Sequence, residues 1–135
     1  MEGCAFCRIV EGDADAHRVY EDADTLAFLD TDPAVRGHTL VVPKVHHESL
    51  LVADEPTTDA VFRAAHVVAQ SLRETLAPDG FSLFHTSAGI VGTVTHAHVH
   101  LVPRYADDGV HVALPRDPLS EDEGARLAAQ LRSAL

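Results

Sequence analysis

The sequence predicts a single α+β domain with a mostly antiparallel sheet, one long central helix and a C-terminal helix. Three observations carry that reading. The predicted elements run strands, helix, strands, helix, an order that gives segregated layers and no βαβ repeat. Residues 59–76 place apolar side chains in steps of three and four, the period of an amphipathic helix. Residues 94–102, VTHAHVHLV, alternate strictly, the period of a strand. A chain of 135 residues with 46% apolar content builds one core, and two independent cores are not expected.

In chain order, residues 19–22 read as a short strand and 22–24 as its turn. Residues 25–29 (TLAFL) read as the second strand of a hairpin. Asp30-Thr31-Asp32-Pro33 stops it. Gly37 precedes a central strand over residues 38–42 (HTLVV), and Pro43 ends that strand because proline loses a ladder bond. Thr57 or Thr58 is the expected cap of the 59–76 helix, whose stripe is Val61, Ala64, Ala65, Val68, Leu72 and Leu76. Pro78-Asp79-Gly80 ends the helix. Residues 81–84 open another strand, 87–92 form a small loop, and 94–102 form the histidine-bearing strand up to Pro103. Residues 105–109 are a polar turn. Ser120, with Glu123 three residues on, caps a C-terminal helix carrying Ala125, Leu127, Ala128, Leu131 and Leu135.

Composition narrows the function. Ten Lys and Arg stand against 21 Asp and Glu, a formal net charge of −11. That balance opposes nucleic-acid binding, although a local pocket can still receive a small phosphorylated ligand. No stretch reaches transmembrane length, the N-terminal residues lack a secretory pattern, and two cysteines are too few for a disulfide scaffold. A cytoplasmic protein with no membrane partner is the expectation.

The ladder His96-Ala97-His98-Val99-His100 is the sharpest signal. In a strand the three histidines share a face at intervals of about 6.6–7 Å. One metal ion with bonds of about 2.0 Å does not reach all three, so a row of catalytic or binding imidazoles is favoured. A neutral imidazole attacks phosphorus or carries a proton at neutral pH. The opposite face (Ala97, Val99, Leu101) must pack on something apolar, and the 59–76 helix is long enough. The loop 87–93 offers N–H groups and hydroxyls to phosphate oxygens.

Cys4 and Cys7 have the spacing of half a zinc site, with the remaining ligands drawn from His46, His47 and His96. A redox pair and two idle thiols are the competing readings. His17, His66 and His111 have no such context.

Taken together, these residues resemble the histidine triad superfamily, and within it the bacterial small hydrolases. The motif His-φ-His-φ-His-φ-φ, with φ apolar, stands as residues 96–102. The stretches 4–10, 19–22, 27–30, 37–44 and 102–105 match the family pattern in order. The resemblance implies a homodimer that binds a purine nucleotide and cleaves a bond to its α-phosphate through a nucleotidyl-histidine intermediate. It implies His98 as nucleophile, His100 as donor to a non-bridging oxygen, and His38 beside it. It implies Asp30 at the ribose hydroxyls and Phe6, Ile9, Phe28 and Leu29 at the base. It also implies structural zinc on Cys4, Cys7, His46 and His96. Gly92 stands where the family pattern has glutamine, leaving Thr86, Ser87 and Thr93 as the polar residues that would substitute at the phosphate. That departure keeps a second expectation open, a nucleotide-binding or interaction module without catalysis. A hydrolase with metal in the active site is a third.

Overall fold

Alternation along two central strands decides where everything else packs. The computed structural model describes residues 3–87 and 94–135. β1 (Arg18–Glu21), β2 (Thr25–Leu29), β3 (Thr39–Pro43), β4 (Gly80–Phe84) and β5 (Val99–Arg104) form one antiparallel sheet in the order β1-β2-β3-β5-β4. β2 and β3 are buried along nearly their whole length, because both faces of the sheet are covered.

One face presents Ala27, Val41, Val99 and Leu101, with Ala97 beside them. It packs against Val61, Ala64, Ala65, Val68 and Leu72 of α2 (Glu55–Leu76). Each large side chain so buried contributes about 1.5–3 kcal/mol. The apolar stripe read from the sequence is therefore the sheet-facing side of α2. The other face presents Leu26, Phe28, Leu40 and Val42 to Phe6 and Cys7 of α1 (Ala5–Glu11) and to the preceding Cys4.

Several boundaries differ from expectation. α2 begins before Thr57, because Asp54 is its cap: Oδ2 accepts from the Thr57 N–H at 3.2 Å and Oδ1 from the Thr57 hydroxyl at 2.8 Å. Pro56 sits in the first turn, where a missing N–H leaves no intrahelical bond unmade. Pro43 closes β3 from within rather than stopping it one residue earlier. β5 starts at Val99, not at residue 94, and runs through Pro103. Pro103 lies past Leu101, the last residue of β5 paired with β3, so it breaks no bond to that strand.

α1 was not expected from the sequence. Cys4 is its N-cap, with Sγ accepting from the Cys7 N–H at 3.2 Å, and Gly12 closes it in the left-handed region at φ 85°. α3 (Glu121–Ala134) has the expected cap, Ser120 Oγ accepting from the Glu123 N–H at 3.2 Å, and buries none of its residues. Among the described residues no helix is long and apolar enough to cross a membrane.

Candidate active site and metal cluster

The histidines sit where the ladder of β5 has not yet begun. Backbone groups before Val99 have no strand partner and must be satisfied otherwise. The Ala97 N–H donates to the His47 carbonyl at 2.6 Å. His96 Nε2 donates to the Pro43 carbonyl at 2.7 Å, and His98 Nδ1 to the His96 carbonyl at 2.8 Å. The side chains still alternate sides without a ladder, although the chain bends at His96. Ala97 enters the α2 side of the core, while His96 and His98 both lie against the ring of Phe6, with centroids 6.1 and 5.1 Å away.

The rings then part company. His96 is fully buried and faces the two cysteines. Its Nδ1 is 3.5 Å from Cys4 Sγ and 3.4 Å from Cys7 Sγ; His46 Nδ1 is 3.4 and 3.3 Å from the same atoms. All four ligand atoms lie within 4.8 Å of one another. Because His96 Nε2 holds its proton on Pro43, Nδ1 presents a lone pair to the cluster. Burial raises the Cys7 thiol above its ordinary range and lowers His96. A raised thiol opposes the redox reading, which needs an accessible thiolate. Two thiols and two imidazoles converge at separations that could hold a metal ion.

His98 and His100 face a cavity of about 590 Å³. Phe6, Ile9, Phe28, Leu29 and Asp30 line it with them, as do Ala5, Asp15, Ala16, Thr31, Asp32, Leu40 and Val94. The described lining holds no Lys or Arg. Thr86 and Ser87 follow β4 and are not among that lining. Gly92 and Thr93 lie outside the described residues.

Hydrogen-bond direction assigns the tautomers. The Ala34 N–H donates to His38 Nδ1 at 3.0 Å, so His38 carries its proton on Nε2. That proton is donated to His100 Nδ1 at 2.9 Å, which leaves the His100 proton on Nε2. His98 donates from Nδ1, which leaves its Nε2 lone pair free. Asp30 Oδ2 is 3.5 Å from His38 Nε2. Burial lowers His38, with Asp30 opposing, and brings His100 down to about 4, with His98 and His38 adding to the effect. Both rings are neutral at pH 7. Among the described residues the site therefore presents an unpartnered imidazole lone pair, on His98 Nε2, and a neutral N–H, on His100 Nε2.

Comparison with known proteins decides the family: the model described as "HIT domain" matches residues 11–107. This chain belongs to the HIT family. HIT relatives of the chain occur in bacteria, archaea and eukaryotes. The HIT chain superposes on a solved Streptococcus mutans protein with a TM-score of 0.93 at 36% identity, covering 99% of this chain and 86% of that one. A zinc-bound histidine triad family protein from Mycobacterium smegmatis is 40% identical, with a TM-score of 0.75 and 98% of each chain covered. The adenylylsulfatase HINT3 of Arabidopsis thaliana is 30% identical over 106 residues, 78% of this chain and 54% of that protein.

Sequence reasoning missed two neighbours of the triad. Phe84 stacks on His100 with centroids 4.5 Å apart and planes 13° from parallel, because β4 pairs Phe84 directly with His100. His85 donates from Nδ1 to the His98 carbonyl at 2.9 Å. Neither carries a local signal; only the closure of β4 beside β5 brings them there.

Proposed function

We propose that this HIT protein is a nucleotide hydrolase of the small-hydrolase branch, cleaving a bond to the α-phosphate of a purine nucleotide. The observation that carries the reading is the Nε2 lone pair of His98, unpartnered among the described residues, at the wall of a cavity of about 590 Å³, a volume in the range of small-ligand sites. His98 Nε2 attacks phosphorus, a P–N bond forms, and the bond to the leaving group breaks with its electron pair. Water then attacks the nucleotidyl-histidine, releasing the nucleoside monophosphate and restoring the imidazole. His100 Nε2–H donates to a non-bridging oxygen as charge develops there, and His38 fixes the tautomer that makes this donation available. Asp30 binds the ribose hydroxyls, and Phe6, Ile9, Phe28 and Leu29 enclose the base. The substrate class is AMP-phosphoramidate or dinucleoside polyphosphate; the adenylylsulfatase name of the Arabidopsis relative supports nucleotidyl transfer from an adenylylated compound.

The ion we assign to Cys4, Cys7, His46 and His96 is zinc. A tetrahedral zinc with bonds of about 2.3 Å to sulfur and 2.0–2.1 Å to nitrogen needs S···N edges near 3.5 Å, and the four S···N separations are 3.3–3.5 Å. The zinc-bound Mycobacterium relative supports this assignment. When bound, the ion cross-links α1 to the segment ahead of β5; the phosphoryl chemistry stays with the cavity histidines. Exposed Phe62 and Val67 on α2 and Leu83 and Phe84 on edge strand β4 support a homodimer that covers them.

The test is AMP release from an AMP–amine conjugate and from adenylyl sulfate, with His98→Ala as control. Release that disappears in the variant supports the reading. Tight AMP binding by calorimetry without turnover above that control replaces it with the non-catalytic module, the reading Gly92 favours.

A further inference from the structure

The His98 carbonyl lies beyond both ladders of β5. The β3 pairing begins at Val41↔Val99, and the β4 pairing ends at Phe84↔His100. Outside a ladder, a backbone carbonyl must find its hydrogen-bond partner elsewhere. His85, the first residue after β4, takes it at 2.9 Å through Nδ1. The opposite edge of the ring is also held. The Leu50 N–H donates to His85 Nε2 at 3.2 Å, and Ser49 Oγ lies 3.5 Å from the same atom. A backbone N–H only donates, so Nε2 is the acceptor and the proton sits on Nδ1, aimed at the His98 carbonyl. Ser49 and Leu50 are buried, so the anchor of the ring is itself fixed.

We propose that His85 is a positioning residue that sets the direction of the His98 imidazole. The inference rests on the reading of His98 as nucleophile. His85 is not among the residues lining the cavity, so it acts through His98. Among the described residues, the His98 ring is hydrogen-bonded only to the carbonyl of His96, two residues back. The backbone at residue 98 therefore sets where Nε2 points, and His85 holds that backbone against the turn at residues 49–50. A displacement of about 1 Å at an attacking atom lowers a rate by about 100-fold.

The experiment compares wild type with His85→Ala, His85→Asn and His85→Gln, using an AMP–amine conjugate, with melting temperature and metal content measured alongside. The Asn amide nitrogen lies as many bonds from Cβ as Nδ1 does; the Gln amide lies one bond further. His85→Ala is expected to lower kcat about 10- to 100-fold with KM nearly unchanged. His85→Asn is expected to restore most of kcat, and His85→Gln less. Unchanged kcat in His85→Ala overturns the proposal. So does a loss that follows melting temperature or metal content and is not rescued by Asn. Should wild type release no AMP, the nucleophile reading fails, and imidazole NMR then tests the positioning alone. Wild type and His85→Asn are expected to show one Nδ1–H tautomer for His98, averaged or lost in His85→Ala. Its full retention in His85→Ala overturns the proposal.

Discussion

His38 donates its Nε2 proton to His100 Nδ1 across 2.9 Å, tying the start of β3 to β5 and leaving both rings neutral. The neutrality has a consequence for acid stability. Burial holds His100 at about 4 in the fold, against 6.5 for the free side chain, and lowers His38 as well. Below pH 6.5 the unfolded chain takes up protons that the folded chain refuses. This contribution to stability is therefore whole above about pH 6.5, falls as pH drops toward 4, and is gone below that. Urea midpoints at pH 7 and 4.5 are expected to fall less in His100→Gln than in wild type. Equal falls in the two proteins would remove His100 from the explanation.

Asp30 is the carboxylate that opposes this burial, raising both His38 and His100. Asp30→Asn is expected to push both imidazoles lower still, read as shifted midpoints in an NMR titration. On the proposed ribose role of Asp30, the same change removes a charged partner of the sugar hydroxyls, an interaction of about 1.5–3 kcal/mol. KM for a ribonucleotide conjugate then rises roughly 10- to 100-fold, while that for the 2′,3′-dideoxy analogue stays near its wild-type value. Equal effects on both analogues would dissociate Asp30 from the sugar.

Periodicity made the central architecture legible. The stripe on α2 and the alternation of Ala97, Val99 and Leu101 each named one side of the same interface. Strand boundaries were less legible, because residues 94–98 alternate as an extended segment does whether or not a ladder pairs them. α1 was hidden because a thiol is its cap and seven residues carry little helical period. The triad and the Cys-x-x-C pair were visible as motifs, but their division was not. That His96 turns to the cysteines while His98 turns to the cavity depends on Pro43 and His47 accepting hydrogen bonds from afar. His85 illustrates the limit: its role comes from a turn 35 residues earlier and a carbonyl 13 residues later.

The buried cluster predicts a metal-linked fold. Cys7 is raised by burial, so the thiol loses its proton most readily when a cation takes its place. Zinc at about 100 times its Kd stabilises a folded state that alone binds it by about 2.7 kcal/mol, roughly 8–13 °C for a chain of this size. Cys4→Ser with Cys7→Ser is expected to lose the ion and melt lower by about that amount, and chelation should reproduce the shift in wild type. Full stability of the ion-free double variant would leave these thiols without a metal role.

Gly37 is the residue whose conformation delivers His38. Its φ of 96° lies where side chains are disfavoured, and a Cβ there would stand 2.6 Å from Leu76 Cδ1 and 3.0 Å from Pro103 Cγ. The leucine end can swing aside; the proline ring is held in β5. Strained backbone costs about 1–3 kcal/mol, and overpacking against a fixed ring adds to it. Gly37→Ala is thus expected to lower unfolding free energy by at least about 1–3 kcal/mol in urea. Relief of that strain moves His38, the next residue, off His100, so the remaining folded protein should also release AMP more slowly than wild type under conditions where both are fully folded. A variant with wild-type stability would mean the turn relaxes freely, and the link from this glycine to the His38–His100 pair would not hold.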